Sequence, residues 1–82
     1  MKTKLWTVYV LKCNDNTYYT GCTSDLTERL KRHHKGFVTY TKPRVPLELI
    51  VYINFKNKYK AYDFEKYLKS GSGRDFAFKR LL

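Results

Sequence analysis

The sequence contains few acidic residues: seven Asp and Glu stand against seventeen Lys and Arg, for a formal net charge of +10. Such a charge excludes a protein whose only partners are neutral metabolites, and it favours a polyanion. Cysteine is also scarce. Cys13 and Cys22 lack CxxC spacing and provide neither a disulfide framework nor the four ligands of a structural zinc site. We therefore expect two free thiols in a reducing compartment, the cytoplasm.

Long apolar runs are absent as well. The opening stretch "MKTKLWTVYVLK" has an apolar run of only seven residues, which includes Thr7 and has no small-residue cleavage site after it. This pattern does not fit a signal peptide. A membrane surface is disfavoured as the partner, because the basic residues are interleaved with tyrosines and form no long one-sided amphipathic helix. Nucleic acid is the polyanion that the sequence favours.

The apolar residues, 43% of the chain, suffice for one modest core, so we expect a single domain over residues 1–82. Residues 5–12 are apolar on both faces and predict a strand that is covered on two sides. After the turn "CNDN", "TYYTGC" predicts the returning strand of a hairpin. A loop of three residues (13–15) or five (12–16) would place Tyr9 directly opposite Tyr19.

A first helix is predicted to begin at Ser24 or Asp25 and to end at Gly36. If Asp25 is the cap, Glu28 stands at the position of the capping-box acid. The inner stripe of this helix contains Leu26, Leu30 and His33, with Arg29 on its margin, whereas Lys31, Arg32 and Lys35 point away.

The second half of the chain begins with a basic loop, residues 37–46, and a third strand, "LELIVYINF". Asn57 is predicted to cap a second helix whose buried stripe is Ala61, Phe64 and Leu68, with Glu65 on its edge. "SGSG" breaks that helix and leaves a tail of one or two helical turns. The predicted class is α+β: a small three-stranded, mainly antiparallel sheet flanked by helices, in the order β-β-α-β-α plus a short C-terminal helix.

Several residues of this chain occur in an order typical of one family. "TVY" at 7–9 is followed by "YTG" at 19–21, then by an Arg eight residues after the glycine, a His four further on and a lone Glu on the second helix. This set resembles the GIY-YIG nuclease domain, and "FEKYLKSGSGR" resembles its small single-domain bacterial type. The likeness covers essentially the whole chain. Thr7, Val8 and Thr20 depart from the residues that name the motif, but none of these side chains performs chemistry in the family.

The resemblance implies a metal-dependent endonuclease that hydrolyses DNA. It implies that Tyr9 and Tyr19 are the two motif tyrosines, Arg29 the catalytic arginine, His33 an auxiliary active-site group and Glu65 the metal ligand. The alternative for each is a structural role, as cross-strand partners, as an interhelical ion pair or as a satisfied core histidine.

The residues themselves are compatible with this chemistry. The seven carboxylates are dispersed, which disfavours a two-metal cluster and favours one Mg²⁺ or Mn²⁺ held by a single carboxylate, water and the substrate phosphate. Arg29 can bind two nonbridging phosphate oxygens. We expect the cationic surroundings to lower the pKa of Tyr9, which makes it the candidate general base, with Tyr19 orienting water or phosphate. His33 either holds a phosphate or relays the proton.

Five further cations are candidates for contact with the nucleic-acid backbone, either specifically or as a solvated basic surface: Lys31, Arg32, Lys35, Lys42 and Arg44. The expected substrate is DNA, branched or single-stranded, recognised by shape or through a protein partner. The competing hypotheses are a catalytically inactive nucleic-acid-binding module and a small partner of RNA or the ribosome.

Overall fold

The structure, a computed structural model, describes residues 4–82; residues 1–3, the start of the stretch weighed above as a signal peptide, lie outside the described residues. The α+β class and the element order are confirmed. In chain order the elements are β1 (Trp6–Lys12), β2 (Tyr18–Thr23), α1 (Leu26–His34), a 3₁₀ turn (Lys42–Arg44), β3 (Glu48–Phe55), α2 (Lys58–Leu68) and α3 (Gly71–Arg80).

Strand β1 lies in the middle of the sheet, which has the order β2-β1-β3 with both neighbours antiparallel to β1. Its central residues, Val8 to Leu11, are all buried, as expected for a strand covered on two sides. Because side chains alternate along a strand, Val8 and Val10 share one face and Tyr9 and Leu11 the other. The valines belong to the apolar core formed with α2 and α3, and the second face is left for Tyr9.

The hairpin register differs from the prediction. Tyr9 pairs with Gly21, while Tyr19 pairs with Leu11, so the two tyrosines are two residues out of register on one face. The cause is local, since the loop spans residues 13–17. The Asp15 carboxylate accepts hydrogen bonds from the backbone and hydroxyl of Thr17, and the Thr17 carbonyl accepts one from the Cys13 N–H at 2.8 Å. The loop therefore spans residues 13–17 rather than 12–16, and Tyr9 pairs with Gly21 rather than with Tyr19.

Helix α1 begins where one of the two predicted caps stands. The Asp25 carboxylate accepts a hydrogen bond from the Glu28 N–H at 3.1 Å. The predicted role of Glu28 as capping-box acid is wrong, because the hydroxyl of Thr23 occupies the Asp25 N–H at 3.0 Å. The helix ends at His34, and Gly36 follows it with φ +79°, as its predicted stop.

Helices α2 and α3 form the cover of the apolar face of the sheet. Asn57 caps α2 by accepting from two backbone N–H groups, as predicted, and Ala61 and Leu68 are buried. The longest of the helices, α2, has 11 residues, and none in residues 4–82 has the length and apolar character of a membrane span.

Helix α3 is longer than predicted, with ten residues, and it starts inside "SGSG" rather than after it. Ser70 provides the reason, since its hydroxyl accepts a hydrogen bond from the Gly73 N–H at 3.1 Å and caps the new helix. Only the chain around Ser70 interrupts the two helices. Gly73 sits against the end of α2, where a Cβ would overlap the carbonyl of Tyr67 and lie 2.7 Å from the Cα of Leu68.

We predict that Gly73→Ala destabilises the fold by about 1–3 kcal/mol, because a methyl group cannot be accommodated against the backbone of α2. Gly71→Ala is the matched control. It adds the same methyl group two residues earlier in α3, where nothing lies within 4 Å, and it should change the free energy of unfolding by no more than about 0.5 kcal/mol. Urea unfolding measures both variants, and equal midpoints would contradict the close packing of α2 and α3.

Candidate active site

Tyr9 reaches the site by crossing the neighbouring strand. Its ring passes over Gly21 of β2, so closely that a Cβ on that residue would lie 2.5 Å from Cζ of Tyr9 and would clash with its hydroxyl. The glycine of "YTG" therefore has a spatial reason: it is the gap through which the phenol passes towards α1. Tyr9 is completely buried there.

Beyond Gly21, the Tyr9 hydroxyl enters a chain of hydrogen bonds. It lies 2.8 Å from Nε2 of His33 on α1, and Nδ1 of that ring lies 2.8 Å from Oγ1 of Thr41 in the loop after α1. The Thr41 hydroxyl in turn donates to the carbonyl of Val38 at 3.4 Å. Tyr9, His33 and Thr41 all have zero exposure, so this chain joins the sheet, the helix and the loop out of contact with solvent.

These hydrogen bonds indicate which ring nitrogen of His33 carries the proton. The Val38 carbonyl can only accept, so Thr41 donates to it and accepts from Nδ1–H. In the neutral ring, Nε2 then has a lone pair for the O–H of Tyr9. Burial, with smaller contributions from Arg29 and His34, lowers the pKa of His33 to about 4, so the ring is neutral at pH 7.

The expectation of a lowered pKa at Tyr9 is wrong for the free protein. Burial raises the pKa of Tyr9 well above its ordinary value, and Tyr19 and Glu65 act in the same direction. Arg29 opposes them, through its charge and a hydrogen bond to the phenol, without outweighing burial. Desolvation of a phenolate in a closed pocket is the larger effect. Tyr9 therefore keeps its proton unless a partner accepts it.

Tyr19 lies at the outer side of the Tyr9–His33 pair. Its ring centroid is 6.2 Å from that of Tyr9, 5.0 Å from His33 and 5.7 Å from Tyr40. Its pairing with Leu11 keeps it on the same face of the sheet as Tyr9. The half-buried phenol thus lies between the buried pair and the exposed Tyr40.

Arg29 and Glu65 approach the tyrosines from two different helices. Both are half-buried, and the charge of each acts on the pKa of Tyr9, with opposite signs. Within residues 4–82 they form no ion pair with each other. Glu65 instead accepts a hydrogen bond from Lys69, one turn later on α2, with Nζ to Oε2 at 3.1 Å.

Four of the five side chains predicted from the motif spacing, Tyr19, Arg29, His33 and Glu65, therefore lie around the fifth, the phenol of Tyr9. As a metal centre, Glu65 stands alone, since the described part of the chain contains no group of three His, Cys, Asp or Glu residues that could hold an ion. This donor set does not fit a cage made of protein ligands. It fits one hard cation whose coordination is completed by water and a phosphate.

The predicted phosphate-binding cations do not converge on the phenol. Lys31, Arg32 and Lys35 are exposed on α1, and Lys42 is exposed in the 3₁₀ turn. Arg44 differs from them. Its Nε donates to the Asp15 carboxylate at 3.0 Å, and its guanidinium lies 4.1 Å from the centre of the ring of Tyr40 and hydrogen-bonds the carbonyl of that residue. Arg44 therefore links the loop that follows α1 to the turn between β1 and β2.

Sequence reasoning missed Thr41, Tyr40 and Lys69. Lys69 stands four residues after Glu65, at the end of α2, and oppositely charged residues at that spacing lie on the same face of a helix. The sequence could therefore have indicated Lys69. Thr41 and Tyr40 lie in a loop, where no periodicity indicates which residues are buried.

Comparison with known proteins agrees with the motif. A family model described as the GIY-YIG catalytic domain matches residues 5–79. A UPF0213 protein of Clostridium perfringens is 43% identical over 63 residues, 76% of this chain and 68% of the relative. The UPF0213 protein YazA of Bacillus subtilis is 44% identical over 70 residues, 84% of this chain and 71% of the relative.

One solved structure is similar over most of the chain. The solution NMR structure of a UPF0213 protein from Bacillus halodurans superposes with a TM-score of 0.59 at 32% identity, covering 92% of this chain and 83% of that one. The resemblance drawn from the tyrosines, the arginine and the glutamate is confirmed, and the chain belongs to the family of the GIY-YIG catalytic domain.

Proposed function

We propose that the protein is an endonuclease that hydrolyses DNA phosphodiester bonds with one divalent cation, Mg²⁺ or Mn²⁺. Family membership points to a nuclease-type hydrolase. The observation that carries the proposal for this chain is the buried hydrogen bond between Tyr9 and His33, at the place where Tyr19, Arg29 and Glu65 approach. The net charge of +10 supports a polyanionic substrate.

Tyr9 acts as the general base, and His33 receives the proton. As water attacks phosphorus, it gives a proton to the Tyr9 oxygen while the Tyr9 O–H proton passes to Nε2 of His33. A role for His33 in holding a phosphate is less well supported, because both of its ring nitrogens are occupied, by Tyr9 and Thr41. The relay is the alternative that this geometry favours.

Arg29 stabilises the transition state. Its guanidinium would bind two nonbridging oxygens of the phosphorane, which lysine cannot do with the same geometry. Glu65 would hold the divalent cation, which when bound supplies positive charge to the phosphate and the leaving oxygen. In the free protein the ammonium of Lys69 occupies the Glu65 carboxylate, and its exposure leaves it free to turn towards a phosphate instead.

The exposed cations Lys31, Arg32, Lys35 and Lys42 are proposed to contact the DNA backbone, and these contacts carry no sequence information. Selection of branched or single-stranded DNA then depends on its shape or on a protein partner. A catalytically inactive binding module is the second candidate, favoured by the ion pair that occupies Glu65. Buried free thiols at Cys13 and Cys22 support a reducing, cytoplasmic location.

We predict that purified protein nicks plasmid, flap or junction DNA with Mg²⁺ or Mn²⁺ and not with a chelator. Glu65→Gln and Arg29→Lys should each lower the rate by at least about a hundredfold, the usual cost of removing a group that stabilises developing charge. Asp63→Asn on α2 and Arg80→Lys on α3 are the matched controls, since both residues are exposed and outside the site. Equal cleavage by Glu65→Gln and Asp63→Asn would refute the proposal, and salt-sensitive binding without cleavage would support the inactive module.

We predict that His33 makes the fold less stable in acid. The pKa of His33 is about 4 in the folded protein and 6.5 in the unfolded chain, so the unfolded state binds a proton first as the pH falls. This contribution is fully present above pH 6.5 and is lost as the pH falls through about 4, by up to about 3 kcal/mol. Urea unfolding between pH 7 and pH 4 should show a smaller decrease for His33→Gln than for the exposed control His34→Gln. The same slope in both would contradict a neutral buried imidazole.

We predict that Thr41 is a positioning residue for His33. Thr41→Val keeps the shape but removes the oxygen that accepts from Nδ1–H, so the tautomer is no longer fixed, and kcat should fall about 10- to 100-fold with little change in KM. Thr41→Ser keeps the hydroxyl and should restore most of the rate. The acid limb of the kcat profile against pH should move in the valine variant only. A serine variant as slow as the valine variant would show that packing, and not the hydrogen bond, is what matters.

A further inference from the structure

A cavity of about 510 Å³ opens beside the candidate active site, along the edge strand β2. The proposed reaction leaves most of its lining without a role. Six of the lining residues are aromatic or cationic: Tyr18, Tyr19, Tyr40, Phe78, Lys69 and Arg74.

The fold brings these side chains together around β2. Tyr18 and Tyr19 are successive strand residues, so they point to opposite faces of the sheet. Tyr18 packs edge-on against Phe78 of α3, with ring centroids 5.8 Å apart, and Tyr19 lies 5.7 Å from Tyr40. Phe78 is 60% exposed despite that contact. Phe78 lines the cavity together with Tyr18, Tyr19 and Tyr40, and a contiguous aromatic surface of this kind marks a binding site more often than a single exposed ring does.

The lining has the chemistry of a nucleotide site. Aromatic faces stack on any nucleobase, and the two exposed cations, Lys69 and Arg74, suit its phosphates. The volume lies in the range of about 300–1,000 Å³ found for sites of single small molecules, which fits one base and does not fit a duplex. The excess positive charge of the chain favours this occupant over a neutral apolar ligand.

Two residues connect the cavity to the site. Tyr19 lines the cavity and also lies 5.0 Å from the ring of His33. Lys69 lines it and also binds Glu65 at 3.1 Å. A nucleotide whose base occupies the cavity therefore has its backbone beside Glu65.

We propose that this cavity is a subsite for one unpaired base of the strand that is cut, at a nucleotide next to the scissile phosphate. The proposal rests on the nuclease function proposed above and adds a substrate class: nucleic acid with an extrahelical or unpaired nucleotide at the cleavage position. A base within an intact duplex cannot enter, because both of its faces are stacked on neighbouring bases.

The test uses 2-aminopurine, a base whose fluorescence is quenched when it stacks on an aromatic ring. Wild-type protein in chelator, where no cleavage occurs, is titrated against a duplex with a single 2-aminopurine bulge and against the fully paired duplex. We expect quenching and tighter binding with the bulge only. Phe78→Ala should remove the quenching and raise the Kd for the bulge about 10- to 100-fold, the usual range for losing one stacked base.

Tyr59→Ala is the matched control, because Tyr59 is 76% exposed on α2 and does not line the cavity. Arg74→Gln should weaken binding while the quenching remains, since it removes a charge and no stacking surface. Equal Kd values for Phe78→Ala and Tyr59→Ala, or equal binding of bulge and duplex, would overturn the subsite. Position-specific quenching without cleavage when metal is added would support the subsite and overturn the nuclease function instead.

Discussion

The buried hydrogen bond between Tyr9 and His33 is the interaction on which the rest of the site depends. Each group would cost about 1–3 kcal/mol if it were buried without a partner, so the strand that carries the phenol and the helix that carries the imidazole must fold together. Thr41 satisfies the second ring nitrogen, and within residues 4–82 no buried side-chain polar atom lacks a partner. The site is therefore preorganised before any substrate arrives, and Gly21 is the opening in β2 that makes the contact possible.

As a result, the two faces of β1 have different roles. Val8 and Val10 pack with Ala61 and Leu68 of α2 and with Ala77 of α3, and this face contributes the apolar burial that stabilises a small domain. The opposite face of β1 carries Tyr9 and Leu11, and the imidazole of His33 on α1 packs against Tyr9. Burial of the phenol and the imidazole contributes little because both must be dehydrated. A central strand with one face for stability and one for chemistry explains why β1 is apolar on both sides while only one side belongs to the apolar core.

Much of this could be predicted from the sequence, and the misses have physical causes. Asp25 and Asn57 were predicted as caps because capping depends on contacts within three residues. The register of Tyr9 could not be predicted, since it depends on where the Asp15–Thr17 contacts close the loop. The motif spacing identified Tyr9 and four residues around it, but the direction in which the pKa of Tyr9 shifts depends on burial, which only the tertiary structure determines. Thr41 lies in a loop, where no hydrophobic periodicity indicates which residues are buried.

In the proposed reaction, Arg29 connects substrate binding to proton transfer. Burial is the largest cause of the low pKa of His33, and the charge of Arg29 acts in the same direction, so in the free protein the ring stays neutral and Tyr9 keeps its proton. A phosphate bound to the guanidinium would cancel much of that charge and make Nε2 a stronger acceptor at the moment when the scissile bond is in place. Since electrostatic interactions are stronger around a buried group such as His33 than in bulk water, this effect is larger than it would be at the surface. In the proposed nuclease, a base that becomes competent only with the substrate in position limits unwanted hydrolysis, and it requires no moving part beyond one proton.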